Sequence, residues 1–266
     1  MTWLPIGEFL RVAPRLCDRA ETLVAADLGV VHYDAALRLQ EALRDHRIRG
    51  EVPDLLLLQE HSPVYTLGRA ATLDHLGAAA TGTVPVRRVG RGGYATFHGP
   101  GQLVGYPIID LSHRGADVHA YLRCLESALI RAVGGCGVAA GRIAGRPGVW
   151  VERRKLGSIG IGVRRWVTTH GFALNVSTDL AYFDAIVPCG LSGVRMTSLL
   201  AEGSRPDRRS LEACVARALA EELGYRTVRW VGNRAETAST LDPLHEGGPL
   251  TSLQPSDPRQ TRSRSR

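Results

Sequence analysis

Lysine is nearly missing from this chain. Of 33 basic residues in 266, all but Lys155 are arginine. Arginine supplies charge and grips carboxylates, but it does not release its proton in proteins. A single lysine is therefore either a leftover of an arginine-biased composition or a group kept for proton chemistry, since burial can lower an amine's pKa and let it act as base or nucleophile. Other absences narrow the field. No apolar run approaches the ~20 residues needed to span a bilayer, and Met1 to Arg11 lacks the basic start and apolar block of a secretory leader. A cytoplasmic protein without membrane contact is expected. The five cysteines (17, 124, 136, 189 and 214) form no C-x-x-C pair and no metal-ligand spacing with histidine. That argues against a disulfide framework or a metal site, and most of these thiols should be small buried hydrophobes. No G-x-G-x-x-G follows a strand and opens a helix, so the dinucleotide fingerprint is absent. The formal charge of +7 suits a polyanionic partner, yet no recognition-helix or RNA-binding signature points to nucleic acid.

What is present reads as an ordinary globular chain, 44% hydrophobic and 22% charged, without internal repeats. Ala36, Leu39 and Leu43 recur at helical spacing within 33–47, and Gly50 and Pro53 end that helix. Leu55 to Leu58 reads as a buried strand, 84–89 as a second, and 104–111 as a third whose Pro107 implies an edge or a bulge. A helix over 118–132 stops at Gly134-Gly135. Strands over 149–153, 158–166 and 167–176 follow too closely for parallel crossovers and should pair antiparallel. A helix over 211–223 ending at Gly224 and a strand over 225–230 complete the pattern. The mixture predicts an α+β fold with a single mixed-sheet domain over 26–231. Residues 1–25 form an N-terminal extension, and 232–266, rich in Pro, Ser, Thr and Gly, a disordered tail.

Three segments carry candidate chemistry. Arg91 to Gln102 (RGGYATFHGPGQ) brings a guanidinium, a hydroxyl, an imidazole and an amide into one glycine-rich loop, where backbone can approach a ligand closely. It reads equally as a glycine-rich hairpin with incidental polar residues. Lys155 sits in a glycine-rich turn, Arg153 to Gly160, and turns often carry function. Val187-Pro188-Cys189-Gly190-Leu191 places a thiol on a turn, and a helix over 192–200 would lower its pKa if the helix N-terminus faced the sulfur. Cys189 could also be inert. His170, in Thr168 to Asn175, could serve as its base or be structural.

In their order these segments, R-G-G-x-x-T-x-H-G-P-G-Q, K-x-x-S-I-G, H-G-x-A-x-N and P-C-G-L, closely resemble the lipoyl(octanoyl) transferase family of lipoate biosynthesis. Glu60 to Arg69 (EHSPVYTLGR) also looks like that family, and the resemblance covers roughly residues 28–230. It implies the catalytic-domain fold of biotin and lipoate protein ligases. It also implies transfer of an octanoyl group from octanoyl-acyl carrier protein to a lysine of lipoyl domains, those of 2-oxoacid dehydrogenase complexes and of the glycine cleavage H protein. In members of the family the cysteine becomes an acyl-thioester and the lysine activates it, which maps the catalytic roles to Cys189 and Lys155. The family's substrate-binding stretches map to Arg91, Gly92, Gly93, Tyr94, Ala95, Thr96, Phe97 and His98; to Ser158, Ile159 and Gly160; and to Gly171, Phe172 and Ala173. No cofactor or metal is implied, and a monomer is expected.

The residue chemistry agrees with that resemblance. Thioester-to-amide transfer is naturally done in two displacements through a thiolate, and a neighbouring amine can pass protons where arginine cannot. Backbone N–H groups near Cys189 and Gly190 are candidates for an oxyanion site, and His98 for positioning the carbonyl or assisting proton transfer. Glycines 157, 160, 162 and 171 read as a wall with few side chains, leaving room for an acyl chain. The rival reading is an ATP-dependent lipoate or biotin protein ligase, which would use Lys155 on an acyl-adenylate and would not need Cys189. A more distant one is a non-catalytic carrier-protein or nucleic-acid binder that keeps the fold without the chemistry.

Overall fold

The computed structural model describes residues 21–77, 82, 84–186 and 194–231. Cys189, the tail over 232–266 and most of the expected N-terminal extension lie outside the described residues.

Thr22–Val31 form β1, buried along nearly its whole length. It runs across the expected domain start at residue 26 and pairs in parallel with both β2 (Leu55–His61) and β12 (Thr227–Val231). From β2 onward the sheet turns antiparallel, through β6 (Gln102–Ile108), β10 (Val167–Asn175), β9 (Arg154–Arg164), β8 (Arg146–Val151) and β7 (Gly141–Ile143). The two-residue strand β11 (Arg195–Met196) joins β9 in parallel. A smaller sheet holds β4 (Val86–Arg88), β3 (Val64–Leu67) and β5 (Ala95–His98) in that order. The antiparallel β8–β9–β10 run follows from the short turns at Glu152-Arg153 and Arg165-Trp166; Glu152, Arg165 and Trp166 all have positive φ.

Three helices cover the large sheet. α1 (Tyr33–Ile48) buries Ala35, Ala36, Leu39 and Leu43 against one face, packed on Leu55, Leu57, Val104 and Ile108. α2 (Val118–Gly134) and α3 (Arg208–Glu222) cover the other, over Leu56, Leu58, Leu103, Phe172 and Leu174. Asp117 caps α2 by accepting from His119 N and Ala120 N at 2.7 and 3.0 Å, and Asp207 caps α3 through Ser210 N at 2.9 Å. The β1–β2 strand pair exposes neither face, so its residues are mostly apolar. Among the described residues no helix is long and apolar enough to cross a membrane. Cys124, Cys136 and Cys214 are half-buried rather than core residues, and burial pushes the Cys124 and Cys136 thiols up.

Pro107 corrects one expectation. Strand β6 is central, between β2 and β10, and Pro107 pairs with Leu56 inside it. The proline is tolerated because its other neighbour has parted: the β6–β10 register runs only from Gln102↔Asn175 to Gly105↔Phe172. Beyond that point Thr168 bridges the gap, its hydroxyl donating to Pro107 O at 2.8 Å and accepting from Ile109 N at 2.9 Å. Across from the proline, His170 takes φ +56, and its backbone N–H turns away to the side-chain oxygen of Gln40 on α1, 2.7 Å distant.

Candidate active site

Lys155 lies on β9, not in the turn expected from its glycines, and only 3% of it is exposed. A bulge decides which way it faces. Val149 pairs with Gly157 while Trp150 pairs with Lys155, leaving Leu156 unmatched. Leu156 and Leu174, the partner of Gly157, both belong to the core under α2 and α3. The extra residue therefore shifts the alternation, and Lys155 shares the opposite face with Ser158 and Gly160. There the lysine Nζ stands 5.2 Å from the Trp150 ring centroid, within cation–π range.

That face carries a mostly apolar cavity of about 360 Å³. Lys155 and Trp150, with Gly145, Arg146 and Pro147, form one end; Tyr33, Tyr106, Arg91 and His170 form the other. Of the stretches singled out in the sequence, Arg91, Gly93, Tyr94, Ala95 and His98 line it, as do Ser158, Ile159, Gly160, Gly171, Phe172 and Ala173. Gly92, Thr96 and Phe97 do not. Phe97 instead fills the small sheet's own core, stacked 4.3 Å from Tyr182. Gly92 serves as a strut, its N–H donating to Ile161 O at 2.8 Å.

The glycines are explained by close backbone approach more than by empty space. A Cβ on Gly160 would sit 2.9 Å from Gly92 O, and one on Gly171 would sit 2.3 Å from Gly105 O. Gly160 and Gly171 do line the cavity, whereas Gly162 lines a neighbouring one and Gly157 lines neither.

Segment 91–102 is a strand, a turn and the start of a second strand, with a continuous hydrogen-bonded line through its polar residues. The Arg91 guanidinium donates to Thr66 O and Oγ1, both at 2.8 Å. Thr66 Oγ1 is 3.3 Å from His98 Nε2, and His98 Nδ1 donates to Gln102 Oε1 at 2.9 Å. Gln102 Nε2 donates to Asn175 Oδ1 at 2.9 Å, Asn175 Nδ2 to Thr197 O at 2.9 Å, and Thr197 N to Lys155 O at 2.9 Å. Every side chain in this line has its donor and acceptor roles fixed. His98 is held neutral, pushed well below the ordinary histidine value by burial and by His61 and Arg91. Both of its ring nitrogens lie within hydrogen-bond reach of a neighbour, Thr66 on one side and Gln102 on the other, in the wall of the cavity. His61 is pushed down to about 4 by burial; it donates from Nδ1 to Val31 O and accepts from the Tyr106 hydroxyl at 2.6 Å. Burial raises Tyr33 to about 12 and Tyr106 well above 10, so both phenols stay protonated.

The helix expected over 192–200 is not formed where the structure describes that stretch: Arg195–Met196 is β11, and Met196 pairs with Lys155. On the other flank of the cysteine segment, Ile186 bridges to Leu76. Tyr33, Tyr106 and Trp150 are site residues that the sequence reading missed. Each sits in an apolar or mixed run and looks like ordinary core.

A mixed sheet with helices on both faces is also the fold of solved lipoate protein ligases. Lipoate-protein ligase A bound with ATP superposes over 84% of this chain and 93% of its own, with a TM-score of 0.64 at 16% identity. A T. acidophilum protein described as a lipoate protein ligase, with bound lipoic acid, superposes over 85% and 94% with a TM-score of 0.62 at 17% identity. At such identity the likeness is one of fold. Residues 32–221 match the lipoyl protein ligase A/B catalytic domain, and the chain belongs to that family. Within it the chain stands with the octanoyltransferases. That of Geotalea uraniireducens (strain Rf4) is 52% identical over 176 residues, 66% of this chain and 81% of the relative. That of Geobacter metallireducens is 50% identical over 184 residues, 69% and 85%.

Proposed function

We propose that this enzyme moves an octanoyl group from octanoyl-acyl carrier protein to a lysine of lipoyl domains through a thioester on Cys189. The observation that carries the reading is the burial of the chain's sole lysine at one end of a mostly apolar cavity, among relatives named as octanoyltransferases. In the first displacement the Cys189 thiolate attacks the donor's thioester carbonyl; the carrier's sulfur leaves and takes a proton from Lys155. In the second, the acceptor's amine attacks the Cys189 thioester, the cysteine leaves as thiolate, and the amine's surplus proton passes to Lys155. The lysine ends each cycle as it began, an exchange that arginine cannot perform. Backbone N–H groups at Cys189 and Gly190 are the proposed oxyanion donors. Acceptors are the lipoyl domains of 2-oxoacid dehydrogenase complexes and the glycine cleavage H protein. A basic enzyme at formal charge +7 would meet acidic carriers faster at low salt.

The test is intact-mass spectrometry of the full chain incubated with octanoyl-acyl carrier protein and no ATP, followed by peptide mapping. An octanoyl adduct on Cys189 that a lipoyl domain discharges is the expected result. No adduct, with activity only when ATP and free octanoate are supplied, would move the chain to the ligases.

A further inference from the structure

A second cavity, of about 240 Å³, lies beside the first on the same face of β9 and β10. Its character is opposite. Arg44 of α1, Arg69, Arg88 and Arg164 line it, with Glu41 as the one acidic residue of the lining. Gly160 and Gly171 pair on the floor of the first cavity, while Gly162 and Thr169 pair on the floor of the second. The two floors are separated by two steps along the strand, roughly 7 Å.

One side chain belongs to both linings, and it is His170. It pairs with Ile161, on the step between the two glycine floors. At the same level Gly92 N–H donates to Ile161 O, which holds Arg91 over the sheet on the first cavity's side of that step. Both residues are tied down. Arg91 is tied to Thr66 and to Gly92 O, and the kinked backbone of His170 is held by Gln40, which is wholly buried.

We propose that His170 sets the acyl-chain length this enzyme accepts, as the end wall of the acyl cavity. The inference rests on the reading of that cavity as the acyl site, with the thioester at the Lys155 end. Six residues separate Lys155 from Ile161, the partner of His170, and with the bulge at Leu156 taking up one step the span along β9 is roughly 17 Å. Part of that length is taken up by the proposed thioester beside Lys155 and by the imidazole. What remains suits an extended eight-carbon chain, roughly 9 Å from carbonyl to methyl given C–C bonds of about 1.5 Å. The wall presents an imidazole that burial and the neighbouring arginines hold neutral, pushed down to about 4, so a methyl end can rest against it. A longer chain would have to displace His170 and then enter a cavity lined by guanidinium groups, where further methylenes gain no apolar contact and strip water from charges.

The experiment measures self-acylation of the full-length protein by intact mass, with acyl carrier thioesters of six to fourteen carbons, for the natural chain and two variants. His170→Gly suits the positive φ and keeps the backbone N–H that bonds Gln40. The decanoyl-to-octanoyl rate ratio should rise several-fold in it, because two further methylenes fit the volume the imidazole vacates, with a ceiling of about fourfold per methylene newly accommodated. His170→Phe, which thickens the wall and does not depend on the glycine variant folding, should raise the hexanoyl-to-octanoyl ratio several-fold. A folded His170→Gly with an unchanged chain-length profile overturns the proposal, as does an unchanged profile in His170→Phe. If the natural chain accepts octanoyl and either of those results follows, only the wall is lost. If it forms no thioester with any chain, the transferase reading falls as well.

Discussion

Gly148 and Lys155 face each other across β8 and β9 with no space between them for a methyl group. A Cβ on Gly148 would lie 2.8 Å from Lys155 Cε and 2.5 Å from Gly157 O, and Gly148 holds φ +128. The lysine thus owes its position in the cavity to the missing side chain opposite. Gly148→Ala should cost about 1–3 kcal/mol from backbone strain alone. It should also push the amine out of place, lowering single-turnover transfer at least tenfold. Calorimetry and rapid-quench assays would report the two effects separately, and a stable variant with normal turnover would show that the contact is unimportant.

Lys155→Arg keeps the charge and removes the proton exchange. Transfer should fall by about 10²–10⁴, the usual contribution of a positioned acid–base group. Affinity for octanoyl-acyl carrier protein, measured by fluorescence anisotropy, should change far less. Near-normal turnover would reduce the role of the lysine to its charge.

Asn175→Ala should be costly for stability, because it strips a partner from Gln102 Nε2 and from Thr197 O in one step. A loss of about 1–3 kcal/mol is expected, because Thr197 O loses its amide partner in a buried network while Gln102 Nε2 keeps only its bond to Phe97 O. Urea unfolding would measure it. The same variant should slow transfer, since Thr197 N–H holds the Lys155 carbonyl.

Acid should unfold this protein earlier than its carboxylates would dictate. His61 and His170 are pushed down to about 4 and His98 well below the usual 6.5, each chiefly by burial. The unfolded chain therefore binds these protons first, and the stabilisation is complete above pH ~6.5 and is lost as the pH falls toward 4. Each such histidine should contribute a slope of about 1.4 kcal/mol per pH unit inside that window. Urea midpoints at pH 7, 6 and 5 would show it; a flat profile across that range would mean the imidazoles are hydrated.

The elements with a single periodicity were legible from residues alone. Ala36, Leu39 and Leu43 mark α1 well, and the tight spacing after Val149 announces the antiparallel run. The misreadings share a cause: a tertiary contact that the local pattern does not encode. Lys155 looks like a turn residue because Gly157 and Gly160 follow it closely, yet both lie within the strand, and Gly160 answers to the crossing Gly92. Pro107 looks like an edge because its missing N–H is excused only by the gap at His170, distant in sequence. Strand β1 was passed over because Asp27 and Gly29 interrupt its apolar run, whereas β2 opens on four consecutive leucines. At the site, polar residues in glycine-rich surroundings drew attention, while Tyr33, Tyr106 and Trp150 were hidden by being aromatic.

The place of β1 has a consequence for how the protein is made. Among the described residues, every one lining the cavity falls between Tyr33 and Ala173, but β1 needs β12, at Thr227–Val231, on its outer side. A ribosome delivers the chain N-terminus first. The proposed acyl cavity can thus be assembled while one long apolar strand still has a bare edge, the feature most prone to recruit a strand from another nascent chain. The last strand to emerge is the one that ends that exposure, so a chain interrupted before Thr227 would be a source of aggregates even with every catalytic group in hand.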